Sequence, residues 1–172
     1  MKTCHVMVGL PASGKSTRVE AMTENAFVYS TDSYIDEVAA ERGTTYDKIF
    51  SETAKEAKIA MDTFLANAIE NGRDVIWDQT NLTAKKRRHI MSKMSQAGYE
   101  VVCECFEAAE SIEDIAEWNR RLESREGKTI PKYIIDSMAK TYTRPSVEEG
   151  FSEVSFYNLY GKLIAKLYTT KL

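Results

Sequence analysis

The glycine-rich stretch VGLPASGKST, residues 8–17, constrains the fold of this chain more than any other feature. The pattern G-x-x-x-x-G-K-[ST] is formed by Gly9, Gly14, Lys15 and Ser16. It follows a β-rich run and precedes a segment that favours helix. In such a strand, loop and helix, backbone N–H groups and the positive helix end surround phosphates, the lysine reaches the outer phosphates and the hydroxyl can bind Mg²⁺. The stretch predicts a polyphosphate site.

The predicted binding residues of this loop follow from which of them can donate. Pro11 has no N–H, so the donors must come mainly from residues 12–17. The predicted nucleotide-binding residues are Gly9, Ala12, Ser13, Gly14, Lys15, Ser16 and Thr17. Chance occurrence of the pattern is the alternative, and its place between strand and helix argues against it. We therefore expect ATP and Mg²⁺ as ligands.

The rest of the chain alternates short β-rich runs with helix-length segments, which is typical of a parallel sheet in an α/β fold. Predicted strands are Cys4–Val8, Ala26–Tyr29, Asp74–Trp77, Glu100–Phe106 and, closing the sheet, Val154–Phe156. Predicted helices are Asp47–Asn71, Thr83–Gln96, two within Ile112–Tyr142 joined across residues 127–131, and one in the tail Tyr157–Leu172. The tail prediction rests on the helical spacing of its leucines and Ile164.

Composition limits the function classes. With 172 residues, 43% of them hydrophobic, the chain is the size of one domain, 1–172. Three cysteines and no apolar leader or span predict a reduced, cytoplasmic protein with no membrane partner. Cys103 and Cys105 alternate in a strand without further zinc ligands, and His5 and His89 are isolated. A net charge of −3 argues against a general nucleic-acid coat but permits a local basic cleft.

Two aspartates follow predicted strands and are therefore expected at the carboxyl edge of the sheet, where such sheets bind ligands. Asp78 could hold Mg²⁺ through water, or be a helix N-cap or turn residue. Asp32 could accept a proton from an acceptor hydroxyl, or cap the following helix. Phosphoryl transfer to an alcohol needs both kinds of acid.

Two groups of cations could serve the same chemistry. Arg121 and Arg125 share a helix face before the glycine break, which predicts a lid at about residues 118–131 that stabilises transition-state charge. The alternative is a solvated face on which these arginines pair with Glu117, Glu123 and Glu126. The run Lys85-Lys86-Arg87-Arg88 opposes the dipole of its helix, so we expect it, with Lys85 and Arg88 foremost, to bind a polyanionic acceptor; a soluble helix face is the alternative.

These motifs together resemble the P-loop kinase domain of polynucleotide 5′-hydroxyl kinases, both the bacteriophage and the animal kinase-phosphatase types. The resemblance covers nearly the whole chain. It is carried by GLPASGKST, by residues 29–32 and 78–81, by RLESREGKTIP at 121–131 and by PSVEEGF at 145–151. It implies a three-layer α/β sandwich with a mostly parallel sheet and a helical lid.

By this resemblance Asp32 matches the aspartate that activates the acceptor hydroxyl, Lys15 and Ser16 match nucleotide and metal residues, and Arg125 matches the lid arginine. The Asp78-x-Thr80-Asn81 form looks like the animal pattern and implies substrate or metal contact. This sequence departs from the bacteriophage type at two positions. Ile35 stands where that type has an arginine that binds the acceptor phosphate, and Gln79 stands where it has the acid that holds this arginine in place. No phosphatase motif is present.

The sequence therefore predicts an ATP-dependent kinase of a 5′-hydroxyl end of DNA or RNA. The same machinery acting on a nucleoside, a modified base or another small alcohol is an alternative that the missing clamp would suit. A nucleotide-gated binding module that transfers no phosphate is a third possibility. Which acceptor gains phosphate separates the three.

Overall fold

The architecture is a six-stranded sheet between two layers of helices. The structure, a computed structural model, describes residues 1–107 and 111–170. The strands are β1 (Thr3–Val8), β2 (Ala26–Tyr29), β3 (Asp74–Asp78), β4 (Glu100–Phe106), β5 (Glu153–Tyr157) and β6 (Leu163–Tyr168). Their order is β2-β3-β1-β4-β5-β6, and only the β5–β6 pair is antiparallel. The predicted α/β class with a mostly parallel sheet is confirmed.

The helices connect the parallel strands. They are α1 (Lys15–Glu20), α2 (Thr31–Glu41), α3 (Tyr46–Glu70), α4 (Ala84–Gln96), α5 (Ile112–Glu123) and α6 (Lys132–Thr141). The long α3, the α4 segment and the α5–α6 pair agree with the predicted helices. The side chains of Ser30, Thr83 and Ser111 accept the first free N–H groups of α2, α4 and α5, so these helices begin where short polar side chains can cap them.

Apolar side chains on the two faces of the sheet form separate cores. One face packs Trp77, Leu65 and Ile90 with α3 and α4, and the Tyr29 ring stacks on Trp77 with 4.1 Å between ring centroids. The other packs Met7, Phe106 and Val19 under α1. Within the sheet, β1 lies between β3 and β4. The chain builds the sheet outward from β1 in both directions, so the loop after β1 lies at the point where strand order reverses. Open parallel sheets bind their ligands at this point.

The helix predicted for the tail Tyr157–Leu172 is wrong for the described residues 157–170, because residues 163–168 form a strand that makes a β-hairpin with β5. Residues 171–172 lie outside the described part of the chain. After β5 the Asn158 side chain accepts the N–H groups of Tyr160 and Lys162, and Gly161 has a left-handed φ of 77°, so the chain reverses. Residues 163–168 then pair antiparallel with β5 as β6, which takes the sheet edge predicted for Val154–Phe156. The ladder gives their backbone groups partners, whereas Leu163, Ile164 and Leu167 remain exposed rather than packed.

The cysteines agree with the sequence interpretation. Cys4, Cys103 and Cys105 are all buried and free, as expected of strand thiols. Within the described residues, no helix has the length and apolar character needed to cross a membrane.

Candidate active site

The glycine-rich loop follows β1 directly and turns into α1. Gly9 has no room for a side chain, because a Cβ there would lie 2.6 Å from Ser13 Oγ and 3.0 Å from the Phe106 carbonyl oxygen. Its N–H donates to the carbonyl of Thr80 at 3.0 Å, which fixes the loop to the segment after β3. The Ser13 side chain is fully buried beneath the loop. The loop is thus a close-packed turn whose spacing tolerates little change.

The Lys15 side chain lies inside this turn. Its Nζ donates to the carbonyl oxygens of Gly9 and Leu10, each at 2.9 Å, and only 9% of the residue is exposed. Burial lowers the pKa of Lys15 to about 8, the carboxylate of Asp78 opposes the shift and the Arg125 guanidinium adds to it. The ammonium is therefore poorly solvated and is available to an anion that enters the loop.

Asp78 ends β3 and faces the lysine. Burial raises the pKa of its carboxyl, and the nearby charges of Lys15 and Lys128 counteract that rise, whereas the charge of Asp32 adds to it. Asp78 ends β3 and Asp32 follows the neighbouring strand β2, so both acids belong to the carboxyl edge of the sheet, where the loop after β1 also lies.

The structure corrects the prediction for Asn81 as a substrate contact. Its side chain is 1% exposed and its Nδ2 donates to the carbonyls of Met7 at 2.7 Å and Trp77 at 3.3 Å. Asn81 therefore ties β1 to β3, because its amide bonds a carbonyl from each strand. Thr80 holds Gly9 through its backbone, and its half-buried side chain stays a predicted contact.

Asp32 lies in the first turn of α2, and it is not the helix cap, since Ser30 has that position. Its side chain is 56% exposed on the cleft. Tyr46 Oη donates to Asp32 Oδ1 at 2.8 Å, and Lys128 Nζ lies 3.5 Å from Asp32 Oδ2. Sequence reasoning missed both partners, because Tyr46 looks like an ordinary helix residue and Lys128 like part of a turn.

The α5 helix packs over the loop, as a lid would. Trp118 Nε1 donates to the Pro11 carbonyl at 2.8 Å. Arg121 donates to Glu117 at 2.7 Å and to the Leu159 carbonyl at 2.8 Å, so its guanidinium holds α5 to the β5–β6 turn. The Glu117 pairing anticipated as the alternative therefore exists for Arg121.

A pocket of about 650 Å³ opens between α5 and the loop. Its walls include the two arginines predicted for the lid, Arg121 and Arg125, and four predicted loop residues: Ala12, Gly14, Ser16 and Thr17. Tyr160 and the β5–β6 turn complete it. The predicted shared helix face is wrong, because α5 ends at Glu123 and Arg125 lies in the loop after it. The pocket has the cationic wall and the size that a nucleoside phosphate needs.

The basic run at the start of α4 does not act as one surface. Arg87 is fully buried, and its guanidinium binds Glu149 at 2.7 and 2.8 Å and the carbonyls of Asn81 and Leu82. Arg87 thus holds the PSVEEGF segment to α4 and cannot meet a polyanion. Lys85 and Arg88 are exposed, so they keep their predicted role as candidate acceptor contacts.

The two positions that depart from the resemblance have structural partners. Ile35 is 1% exposed and packs with Ala39, Ile49 and Ala57 between α2 and α3. Gln79 accepts from Trp77 Nε1 at 3.1 Å and donates to Thr31 Oγ1 at 3.2 Å. The side chain at position 35 points into a hydrophobic core, so we would not expect even a basic residue there to reach the acceptor phosphate.

His5, to which the sequence assigns no chemistry, belongs to a partly buried network in which the Glu104 side chain is buried and those of His5 and Arg18 are partly exposed. Its Nδ1 lies 3.1 Å from Glu104 Oε1, and Arg18 Nε donates to Glu104 Oε2 at 3.0 Å. Burial opposes ionisation of Glu104, but hydrogen bonds from His5, Arg18 and Tyr157 lower its pKa to about 2. This carboxylate fixes Arg18, which lines the pocket.

The oxygen donors of Ser16 and Asp78 fit Mg²⁺ bound together with phosphates better than a metal ion whose ligands all come from the protein. The described residues contain no group of three or more His, Cys, Asp or Glu able to hold a metal. Ser16 offers an exposed hydroxyl at the pocket, and Asp78 a half-buried carboxylate whose ionisation a cation would favour. Mg²⁺ typically takes one or two such protein oxygens together with phosphates and water.

The strand order, the loop packed on Gly9 and the buried Lys15 define a nucleotide-binding P-loop fold of the kinase type. A family model described as an AAA domain matches residues 4–145. The match covers most of the chain, so the chain belongs to that family.

Solved structures share this fold at low sequence identity. A protein of the PezAT chromosomal toxin-antitoxin system of Streptococcus pneumoniae is 16% identical with a TM-score of 0.64, and the match covers 96% of this chain and 71% of that one. A protein of the Pnkp1/Rnl/Hen1 RNA repair complex is 19% identical with a TM-score of 0.62, covering 81% and 43%. A fungal RNA kinase is 13% identical with a TM-score of 0.56, covering 91% and 74%.

Proposed function

We propose that this protein is an ATP-dependent phosphotransferase that moves the γ-phosphate to the 5′-hydroxyl end of a polynucleotide. The observation that carries the proposal is the cleft itself. Lys15 is buried in the glycine-rich loop, and a hydrogen bond from Gly9 to Thr80 holds this loop to the segment that follows Asp78. Asp32 follows β2, the strand beside the one that Asp78 ends. Asp32 is exposed there and can meet an incoming hydroxyl.

The proposed reaction assigns one task to each group. Loop amides and the Lys15 ammonium hold the β- and γ-phosphates, and the lid arginine Arg125 neutralises charge on the transferring group. The oxygen of the acceptor hydroxyl bonds to the γ-phosphorus in line with the departing ADP oxygen, and Asp32 accepts the proton that this hydroxyl loses. Ser16 and Asp78 would hold Mg²⁺, which when bound supplies positive charge to the phosphates.

A polynucleotide acceptor is supported by the motifs that resemble polynucleotide kinases and by a cationic approach to the cleft. Lys85 and Arg88 are exposed on α4, which begins shortly after Asp78. Two proteins that share the fold are described as an RNA kinase and as part of an RNA repair complex. Phosphate contacts from such lysines and arginines would make acceptor binding depend on salt.

A small alcohol is the second candidate, and one observation favours it. Ile35 lies in a core and Gln79 is bonded to Thr31 and Trp77, so neither position provides a cation for an acceptor phosphate. A nucleoside or modified base would need no such clamp.

Labelled ATP separates these functions directly. The protein is incubated with [γ-³²P]ATP and Mg²⁺ and offered, in turn, a 5′-hydroxyl DNA oligonucleotide, the matching RNA, a nucleoside mixture and water. We expect label on the oligonucleotide end and none on the same oligonucleotide already carrying a 5′-phosphate, which is the matched control. Label on nucleosides alone would replace the polynucleotide by a small acceptor. ATP binding without any labelled product would support a nucleotide-gated binding module.

The lysine also gives ATP binding a pH dependence. With the pKa of Lys15 at about 8, the free protein loses this positive charge as the pH rises through that value. We expect the Kd for ATP to be nearly constant below about pH 7 and to rise by up to about tenfold per pH unit above about pH 8. Isothermal calorimetry across this range measures it.

The control for that titration is Lys15→Arg, whose guanidinium keeps its charge throughout the range. This variant should bind ATP with an affinity that changes little between about pH 7 and about pH 9. A wild-type Kd that stays flat over the same range would contradict the role of the Lys15 ammonium in holding the phosphates.

A further inference from the structure

Asp32 is held by two side chains from different parts of the chain. Tyr46, the first residue of α3, donates its hydroxyl to Asp32 Oδ1 at 2.8 Å. Lys128, in the loop between α5 and α6, places its Nζ 3.5 Å from Asp32 Oδ2. The Lys128 ammonium also lies 4.1 Å from the centre of the Tyr46 ring, so the two side chains support each other.

Lys128 has little freedom to leave this position. Its Nζ donates to Asp36 Oδ2 at 2.9 Å, one turn along α2 from Asp32, and its side chain is only 13% exposed. The Lys128 ammonium thus contacts two carboxylates and the face of the Tyr46 ring, whereas a lysine on an ordinary surface turn is mostly solvated. It still has donor capacity, since an ammonium has three N–H groups.

The backbone of this loop is fastened to the start of α3 beside Tyr46. The N–H of Asp47 donates to the Gly127 carbonyl at 3.1 Å, and the N–H of Thr129 donates to Asp47 Oδ2 at 2.9 Å. Gly127 has a φ of 68°, and a Cβ on it would lie 3.0 Å from that of Thr45. The backbone at Gly127 is therefore packed closely against the start of α3, and the loop with Lys128 and the helix with Tyr46 are held together.

We infer that Tyr46 and Lys128 are positioning residues that hold the Asp32 carboxylate in its working orientation, and that Lys128 links this orientation to the lid. The inference rests on the proposed role of Asp32 as the base. Tyr46 donates to Oδ1 at 2.8 Å, whereas the Lys128 ammonium lies at the longer distance of 3.5 Å from Oδ2, so Oδ2 is the oxygen with room to receive the proton. Arg125 lies three residues before Lys128, so a lid that brings Arg125 to the phosphates also places Lys128 against Asp32.

Losing either partner has a defined consequence for the proposed reaction. Without Tyr46 Oη or the Lys128 ammonium, the Asp32 carboxylate can turn away from the acceptor hydroxyl, whereas the groups that hold ATP are unchanged. The rate of transfer should therefore fall with little change in ATP binding.

The first test is Tyr46→Phe, assayed with labelled ATP and whichever acceptor the protein phosphorylates. We expect kcat to fall by about tenfold or more and the KM for ATP to stay within about twofold. The matched control is Tyr34→Phe, which removes a similar 2.8 Å bond to a carboxylate, Glu56, between the same two helices. That control should leave both kcat and the KM for ATP at their wild-type values.

The second test is Lys128→Met, with Lys128→Arg to restore the charge and Lys132→Met as the control. Lys132 pairs with Asp136 on the exposed face of α6, in an ion pair of similar length at 2.9 Å. We expect Lys128→Met to lower kcat while the KM for ATP stays unchanged, Lys128→Arg to restore most of the rate, and the control to have no effect. Thermal unfolding of each variant shows whether it is folded.

The outcomes separate this inference from the proposed function. If Asp32→Asn is inactive but Tyr46→Phe and Lys128→Met have the wild-type kcat, the positioning role is wrong and the base remains. If Asp32→Asn is fully active, the base assignment is wrong and the inference falls with it. Equal losses of kcat in Tyr34→Phe and Tyr46→Phe would reduce the Tyr46 effect to a structural one and overturn the inference.

Discussion

Replacing Asp32 by Asn is expected to lower kcat by about 10²–10⁴-fold, because an amide of the same shape cannot accept the proton of the attacking hydroxyl. ATP affinity should change by less than about threefold, since the loop and Lys15 hold the phosphates without help from this side chain. The amide oxygen can still accept the hydrogen bond from Tyr46, so the site keeps its shape. Steady-state transfer of labelled phosphate and calorimetric ATP binding measure the two effects.

A control on the same helix separates lost chemistry from lost charge. Glu37→Gln removes one exposed acid from α2 and should keep the wild-type rate. If Asp32→Asn retained wild-type kcat with the best acceptor, a different group would have to take the proton, and the reaction assigned to this cleft would need another base.

The second large effect concerns stability rather than rate. Arg87→Met should lower the free energy of unfolding by about 3–5 kcal/mol, because breaking a buried ion pair leaves its partner without compensation. Arg87 is fully buried and makes two bonds to Glu149 and two to backbone carbonyls. Four acceptor oxygens would lose the guanidinium, and of these only Glu149 Oε1 and the Leu82 carbonyl have another donor, the N–H groups of Ser146 and Thr143, among the described residues. Urea unfolding followed by circular dichroism measures the change.

Two further variants test the physical cause. Arg42→Met removes an exposed pair with Glu52 and should cost less than about 1 kcal/mol. The double variant Arg87→Met/Glu149→Met should be more stable than Arg87→Met alone, since no unpaired carboxylate remains. A loss in Arg87→Met no larger than that in Arg42→Met would show that the buried pair contributes little.

Much of the fold follows from local patterns that the sequence displays openly. Glycine spacing in residues 8–17 fixes the loop after β1, and apolar periodicity marks the long helix α3 and the buried strands. The tail shows the limit of this reasoning. Its leucines have helical spacing, but the turn built on Asn158 and Gly161 and the free edge of β5 favour a strand instead. Pairing with a distant strand overrode the local pattern.

Some residues of the candidate site can be identified from the sequence, whereas the role of others is visible only in the structure. The P-loop residues and the two strand-end aspartates are recognisable from sequence because each lies within a short motif with its own chemistry. In the basic run 85–88, by contrast, the sequence cannot tell the buried Arg87 from its exposed neighbours, since the distinction depends on Glu149 far along the chain. Asn81 is a similar case: the motif marks it as a site residue, whereas its amide ties two strands together.

The sequence by itself determined the class of this protein: a phosphate-binding loop between a strand and a helix in a mostly parallel sheet. Only the tertiary structure decided how Asp32 is held, because Tyr46 and Lys128 come from two other segments that meet it through the packing of α2, α3 and the lid loop. Contacts within one turn or strand are encoded by neighbouring residues, but a contact between distant segments exists only once their helices pack.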